Sequence, residues 1–246
     1  MTSIVIPCFN EERRIGSTLR AILSFLGNRP DGWEIVVVDD GSRDATAELV
    51  QSEFGSDARV RVQRSTENHG KGWAVREGFR VARGDLVLFT DADLSTSIDA
   101  LPGFEARAAE GFDLVIASRV IPGARILTPQ PWRRRLSGWV FRTLVRGLGL
   151  SKFHDTQCGF KLMRKATISP VVEAMTTAGF AFDVELIFRA GARGLRVCEQ
   201  PVDWRDSAGS KVRLYPDALR MTADLVRLRW RLRRDVVRRD VAALFA

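Results

Sequence analysis

The sequence lacks the features that would place the protein across a membrane or in an oxidising compartment. No apolar run among its 246 residues reaches the length of about 18 residues that a transmembrane helix needs. The first predicted strand begins at Ser3, so we expect no signal peptide before it. The chain has only three cysteines, which are scattered and lack the spacing of metal ligands. Their odd number and wide spacing favour reduced thiols in a cytosolic protein.

Acidic residues are also scarce in part of the chain, and the net charge of +8 is therefore uneven. Residues 1–118 have 13 Lys and Arg against 19 Asp and Glu, whereas residues 119–165 have 11 against one. A basic second half indicates an anionic partner, such as a nucleic acid, an anionic membrane surface or a phosphorylated substrate. No helix-turn-helix, zinc or RNA-binding signature accompanies this charge, so we expect no nucleic acid partner.

The first half alternates apolar strands with amphipathic helices. The predicted strands are 3–7, 34–39, 59–64, 85–90 and 113–117, and the predicted helices are 11–26, a segment after Asp44, 70–83 and 99–110. Repeated βα units predict an α/β fold of the Rossmann-like, doubly wound type. Helices then cover both faces of the sheet, and ligands bind at the carboxyl ends of its strands.

Asp91 and Asp93 form the most informative motif of the chain. They stand one residue apart at the end of the apolar run Leu86–Phe89. Mg²⁺ and Mn²⁺ prefer oxygen ligands and commonly join one or two carboxylates to the phosphates of a substrate. A polar turn can show the same spacing, but three other strand ends of the predicted edge are also polar. These segments are Pro7–Glu12, Asp39–Asp44 and Asn68–Gly72.

The second half does not continue the alternation. The pattern predicts a loop at 121–132, an amphipathic helix at 133–150, a strand at 159–164, a helix at 181–192, a strand at 195–202 and a long basic helix at 216–241. We predict one domain over 1–212, with a first half at 1–118 and a second half at 119–212, followed by a C-terminal basic helix at 213–246.

Two sets of motifs resemble a known family. The first set is Ile6-Pro7-Cys8-Phe9-Asn10-Glu11, Val38-Asp39-Asp40-Gly41-Ser42, Asn68-His69-Gly70-Lys71-Gly72 and Asp91-Ala92-Asp93. It is similar to glycosyltransferase family 2, whose fold is GT-A. The second set is Asp155-Thr156-Gln157-Cys158-Gly159-Phe160-Lys161, Phe180-Ala181-Phe182-Asp183-Val184-Glu185-Leu186 and Val202-Asp203-Trp204-Arg205 with Ser210-Lys211. It resembles the dolichyl-phosphate β-glucosyltransferases and bacterial polyprenyl-phosphate relatives.

The resemblance implies that 1–118 is the nucleotide-sugar half and 119–212 the acceptor half, and it implies a role for each matching residue. It implies Mg²⁺ or Mn²⁺ on Asp91 and Asp93, with Ser95 where many relatives carry an amide. It implies a nucleotide-sugar site made of Pro7, Phe9, Glu11, Asp39, Asp40, Asn68, Lys71 and Thr90. It implies an acceptor and phosphate site made of Arg119, Arg205, Ser210 and Lys211, of which Arg205 and Lys211 join the two aspartates as catalytic residues.

A phosphate acceptor agrees with the scarcity of histidine. His69 and His154 are the only histidines of the chain, and neither lies in a base-like motif of the family. An alcohol acceptor needs a general base, whereas an ionised phosphate can attack without losing a proton. We therefore expect a hexose, glucose from UDP-glucose first, to be transferred with inversion to a polyprenyl or dolichyl phosphate. Two alternatives are mannose from GDP-mannose, or a glycan hydroxyl acceptor with Asp183 or Glu185 as base instead of support.

The basic amphipathic segment 132–150 suits an enzyme that works on a lipid acceptor. Its aromatic residues alternate with arginines, which is typical of a helix lying in a membrane interface. A core helix with a solvated basic face is the alternative. The arginines of 227–239 can add to docking, bind a partner or only face solvent. We expect a peripheral protein on an anionic membrane surface, at the cytoplasmic face.

Overall fold

The described part of the chain is built around a mixed seven-stranded sheet. A computed structural model describes residues 1–27, 29, 32–129, 132–207 and 221–232. The strands are β1 (Thr2–Cys8), β2 (Trp33–Asp40), β3 (Val60–Ser65), β4 (Leu86–Thr90), β5 (Leu114–Ser118), β6 (Arg125–Thr128), β7 (Phe160–Arg164), β8 (Val197–Pro201) and β9 (Asp203–Arg205). The helices are α1 (Ile15–Leu26), α2 (Thr46–Phe54), α3 (Lys71–Val81), α4 (Leu101–Ala109), α5 (Trp132–Gly147), α6 (Lys165–Ala174) and α7 (Phe182–Ala192). Another helix occupies residues 221–232.

The strand order of the large sheet is β3-β2-β1-β4-β7-β5-β8. Its neighbouring strands are parallel except around β7, which runs antiparallel to both β4 and β5. The carboxyl ends of β1, β2 and β4 therefore meet the amino end of β7 at one edge. This arrangement confirms the predicted α/β fold with the GT-A organisation.

Both faces of the sheet are covered, which explains the uninterrupted apolar run of β2. Every residue of β2 is buried. Successive side chains of a strand point to opposite faces. Val37 accordingly packs in one core cluster with Leu19 of α1, and Val38 packs in the other with Phe79 of α3. Alternating burial of this kind holds the polar carboxyl end of β2 in a fixed place.

Three elements of the second half, β6, β9 and α6, were not predicted from the sequence. Strand β6 lies inside the segment that we expected to be a loop, and among the described residues it pairs only with β9. All four of its residues are exposed, so no apolar alternation marks it. Helix α6 contains Pro170, which removes one backbone donor and weakens the helical pattern.

A third apolar cluster joins α5, α7 and the helix at 221–232. The predicted helix 216–241 is described over 221–232 only, and the predicted domain boundary at 212 lies outside the described residues. Within the described ranges, no helix has both the length and the apolar character to cross a membrane.

Candidate active site

The predicted polar residues gather at the edge formed by β1, β2, β4 and β7. Pro7 and Phe9 are half-buried at the end of β1, and Thr90 is buried at the end of β4. Glu11 is buried beside them and pairs with Arg14. The sheet thus brings the segments expected to bind a nucleotide sugar to one place.

Lys71 and Asp91 form an ion pair at the centre of this edge, with Nζ 2.7 Å from Oδ1. Lys71 is the first residue of α3 and follows Gly70, whose φ of 104° suits glycine. Burial lowers the pKa of Lys71, but the nearby carboxylates of Asp91 and Asp183 outweigh it and raise that pKa above its ordinary value. The lysine is therefore a permanent cation next to one of the two predicted metal ligands.

Asp91 also depends on Gly159, immediately before β7. Asp91 N donates to Gly159 O at 3.1 Å. A Cβ on Gly159 would lie 1.9 Å from Asp91 Oδ2, so only glycine leaves room for this carboxylate. The sequence motif around Gly159 was recognised, but its contact across 68 residues of chain was not predictable from a local pattern.

Asp93 is held from the other side of the edge. Its Oδ1 accepts a hydrogen bond from Ser95 N at 3.0 Å, and Arg14 Nη1 lies 3.8 Å from its Oδ2. Arg14 also binds Glu11 through both Nε and Nη2, each at 2.7 Å. Sequence reasoning missed Arg14, because no motif of the chain singled it out.

Asp91 and Asp93 fit a hard divalent cation. Both are carboxylates, and both are partly exposed. Among the residues that the structure describes, no group of three or more His, Cys, Asp or Glu side chains is arranged to hold a metal. Two carboxylates suit an ion such as Mg²⁺ or Mn²⁺ that takes its other ligands from substrate phosphates and water.

Asp39 and Asp40 at the end of β2 have different surroundings. Asp39 is fully buried, and its Oδ1 accepts from Ser42 N at 3.1 Å. Its Oδ2 is buried without a hydrogen-bond partner in the described ranges, and Arg64 Nε lies 3.4 Å away. Oδ2 thus has an ion-pair partner but no hydrogen bond, and a buried acceptor of this kind calls for a further donor from a ligand or water.

Asp40, by contrast, holds the turn before Lys71. Its carboxylate accepts hydrogen bonds from Asn68 Nδ2, His69 N and Gly70 N at 2.8–3.0 Å. Burial raises the pKa of Asp40, and the backbone donors only partly offset this. These contacts give Asp40 and Asn68 a supporting position in the site.

Arg119 and Asp155 form a second pair at the end of β5. Arg119 Nε and Nη2 donate to the two carboxylate oxygens at 2.6 and 2.8 Å, and Arg119 N adds a third bond at 3.0 Å. Burial raises the pKa of Asp155, but Arg119 outweighs it and lowers that pKa to about 2. The aspartate is therefore charged across the physiological range, and Arg119 is oriented by a two-point contact.

Lys161 and Asp183 form a third pair beneath the edge, with Nζ 2.5 Å from Oδ1. Both are buried, and Lys161 also donates to Cys158 O at 2.6 Å. Burial raises the pKa of Asp183, and the Lys161 and Lys71 cations offset this only in part. Lys161 was recognised in its motif, but its burial and pairing were not predicted.

Glu185 supports the loop at 176–179. Its carboxylate accepts from Thr176 N at 3.1 Å, from Thr177 N at 2.7 Å and from Arg189 Nε at 2.7 Å. Ala178 O in the same loop accepts from Gly72 N at 2.7 Å. Glu185 thus acts on the start of α3, and hence on Lys71, through the loop.

Arg205 lies at the end of β9 with an exposed side chain. Its backbone N donates to Ser95 O at 2.9 Å, and its neighbour Trp204 forms a β-bridge with Thr96. The strand therefore runs beside the segment that follows Asp93. The other two residues predicted for this part of the site, Ser210 and Lys211, lie outside the described residues.

The fold and the paired acids at its edge define a GT-A glycosyltransferase. The model of the family "Glycosyl transferase family 2" matches residues 3–170. The chain belongs to this family, and it is a glycosyltransferase.

Relatives that match most of the chain indicate which glycosyltransferases it resembles. The Saccharomyces cerevisiae protein named dolichyl-phosphate beta-glucosyltransferase is 34% identical, with 92% of this chain and 73% of that protein covered. The Homo sapiens protein of the same name is 32% identical, with 93% and 75% covered. This chain is thus similar to the dolichyl-phosphate β-glucosyltransferases.

A solved structure with the same fold is glucosyl-3-phosphoglycerate synthase from Mycobacterium tuberculosis, in complex with Mn²⁺, UDP and glucosyl-3-phosphoglycerate. It superimposes with a TM-score of 0.70 at 23% identity, covering 93% of this chain and 78% of that one. At 23% identity, this structural similarity shows a shared fold alone.

Replacing Gly159 with alanine is expected to lower glycosyltransfer by about 10- to 100-fold, the usual range for residues that orient a metal ligand. The new methyl group would displace Asp91 Oδ2. Steady-state rates at saturating donor measure the effect. Gly191→Ala in α7 is the matched control, because a Cβ there meets nothing within 4 Å. Equal rates for Gly159→Ala and the wild type would contradict the role given to Gly159.

Proposed function

We propose that the protein transfers glucose from UDP-glucose to a polyprenyl phosphate of the dolichyl type, with inversion at the anomeric carbon. The likeness to proteins named dolichyl-phosphate beta-glucosyltransferase, over 92% and 93% of this chain, carries the proposal. The arrangement of charges at the sheet edge supports it, because both the donor and the acceptor of such a reaction are phosphorylated.

Asp91 and Asp93 would hold Mg²⁺ or Mn²⁺ against the donor diphosphate. When bound, the ion offsets the negative charge that develops on the departing nucleoside diphosphate. Lys71 lies 2.7 Å from Asp91 and supplies a second positive charge at the same place. Asp39 Oδ2 is buried without a hydrogen bond in the described ranges, although Arg64 Nε lies 3.4 Å away, and we assign it as the acceptor for an N–H group of the nucleobase.

The acceptor needs cations to position it, but it does not need a base. Its phosphate oxygen is already ionised and forms the bond to the anomeric carbon. The bond from that carbon to the diphosphate breaks, and its electron pair leaves with UDP. We assign Arg205 and Lys211 to the phosphates, since arginine grips a phosphate at two points and lysine acts as a point charge.

The surroundings of Asp183 and Glu185 suit a supporting, structural role better than general-base catalysis. Asp183 is buried against the Lys161 ammonium, and Glu185 is fully buried against backbone N–H groups. A base for a glycan hydroxyl must reach the reacting oxygen. These contacts therefore favour the phosphate acceptor over the hydroxyl acceptor.

The test is a transfer assay with the purified full chain, Mn²⁺, UDP-glucose and a short polyprenyl phosphate. We expect a glucosylated lipid phosphate, and no product from the matching polyprenol or after chelation of the metal. GDP-mannose in place of UDP-glucose tests the mannosyl alternative. A product on a glycan hydroxyl, with a rate that follows a carboxylate pKa, would instead identify Asp183 or Glu185 as base. No product from any common nucleotide sugar would reject the proposal.

We further propose that the protein works peripherally at the cytoplasmic face of a membrane. A polyprenyl phosphate keeps its chain in the bilayer, so the enzyme must approach the lipid surface to reach the phosphate. The basic residues of the second half are suited to an anionic leaflet.

A further inference from the structure

Large exposed apolar side chains are concentrated in two short stretches of the described chain. Apart from Met1, they all fall within 120–140 or 226–230. They are Val120, Ile126, Leu127, Trp132, Leu136, Trp139, Val140, Val226 and Trp230. Isolated exposed apolar residues are normal on a protein surface, but a concentration of them marks an interaction site.

Helix α5 has two apolar faces. One packs in the third cluster through residues such as Phe141, Leu144 and Val145. The other face is exposed and carries four apolar residues of α5. Their spacings along the sequence are four, three and one positions, which keeps them on one side of the helix. These are Trp132, Leu136, Trp139 and Val140. A helix that only covered the core would leave this second face polar.

The helix at 221–232 repeats this arrangement. Leu225, Leu228 and Leu232 are buried in the same cluster as α5. Val226 and Trp230, four residues apart, are 41% and 65% exposed. The two helices therefore belong to one packed unit, and each presents an outward apolar stripe.

The charged residues of these two helices are almost all basic. Helix α5 contains five arginines and no acid. The helix at 221–232 contains Arg227, Arg229 and Arg231 with the single acid Asp224. Exposed tryptophans flanked by arginines are suited to the boundary between lipid headgroups and acyl chains.

We propose that the outward stripes of α5 and the 221–232 helix together form the surface by which the protein docks on an anionic membrane. The inference rests on the proposed function, which puts the acceptor in a bilayer. Other occupants, such as a protein partner, a second copy of this chain or a nucleic acid, are outcomes that the test separates.

The surface adjoins the active site. Val145 of α5 packs in the third apolar cluster with Ala181 and Val184, which stand on either side of Asp183. Helix α5 thus lies against the start of α7, which carries the carboxylate paired with Lys161. Docking through α5 would hold a lipid phosphate close to the cations that bind it.

The test compares binding of the full chain to vesicles of phosphatidylcholine alone and of phosphatidylcholine with phosphatidylglycerol, by flotation and by tryptophan fluorescence. We expect binding to the anionic vesicles only. Trp230→Ser is expected to weaken it about tenfold, which is the cost of one large apolar contact, whereas Trp230→Phe keeps most of it. Arg227→Gln is expected to weaken it about fivefold, and the exposed Arg20→Gln on α1 to leave it unchanged.

Activity on a short, water-soluble lipid phosphate separates the two proposals. Trp230→Ser should keep the wild-type rate on that acceptor and lose rate on acceptor embedded in anionic vesicles. Trp230-dependent vesicle binding without any glucosyl transfer would reject the proposed function and leave the surface standing. The docking proposal is overturned if the double variant Trp139→Ser/Trp230→Ser binds anionic vesicles as tightly as the wild type does. It is also overturned if the stripes prove to be covered by a second copy in solution, or if duplex DNA binds more tightly than the vesicles.

Discussion

Replacing Asp91 with asparagine is expected to lower glucosyl transfer by about 10²- to 10³-fold, because the divalent cation that would offset the charge on the leaving diphosphate loses one of its two proposed carboxylate ligands. Asparagine keeps the size of the side chain but removes the charge that pairs with Lys71 at 2.7 Å and that, in the proposed function, would hold the divalent cation. It also leaves Lys71 without its closest carboxylate. Steady-state turnover with UDP-glucose and short polyprenyl phosphate measures this effect.

A second measurement separates loss of metal binding from loss of fold. Mn²⁺ with UDP should raise the unfolding temperature of the wild type by mass action, and Asp91→Asn should reduce that shift. The control is Asp85→Asn, at the opposite end of β4, where the carboxylate is 89% exposed and lies near the N-terminal amine. Unchanged turnover and an unchanged Mn²⁺ shift in Asp91→Asn would remove the metal role of this residue.

The sequence predicted the parts of the site that depend on strand ends. A parallel sheet places the carboxyl ends of its strands on one edge, so Asp39, Lys71 and Asp91 could be brought together from their positions after apolar runs. The same role was expected of both aspartates at the end of β2. Asp40 supports a turn, whereas Asp39 keeps an oxygen that makes no hydrogen bond in the described ranges. Which of two adjacent side chains supports the turn depends on the conformation of that turn. A local sequence pattern does not determine this conformation.

The parts that escaped prediction depend on contacts between distant segments. Strand β7 enters the sheet antiparallel between β4 and β5, and this places Gly159 against Asp91. The same insertion buries Lys161 below the edge. From the sequence alone, a lysine in an apolar strand is expected at the surface. Its burial becomes predictable only when its partner is known, and Asp183 lies on a different element, α7.

Lys161→Met is expected to lower the free energy of unfolding by about 3–5 kcal/mol at neutral pH, because it leaves the Asp183 carboxylate buried without its cation. Lys161 is fully buried and its Nζ lies 2.5 Å from Asp183 Oδ1. Urea unfolding followed by circular dichroism gives the difference. The control is Arg20→Met, which breaks the exposed pair with Glu53 and should cost no more than about 1 kcal/mol.

The double variant Lys161→Met with Asp183→Leu is expected to recover most of that loss, since replacing both partners of a buried pair by apolar groups is often neutral. The pH dependence of the single variant provides an independent check. Burial already raises the pKa of Asp183, and removing Lys161 takes away the cation that offsets this most. A carboxyl with a raised folded-state pKa is destabilising at high pH, and the penalty fades as the pH falls through that pKa and the group becomes neutral. The deficit of Lys161→Met should therefore shrink as the pH is lowered, while a deficit that is independent of pH and persists in the double variant would mean that Lys161 contributes by packing and not by charge.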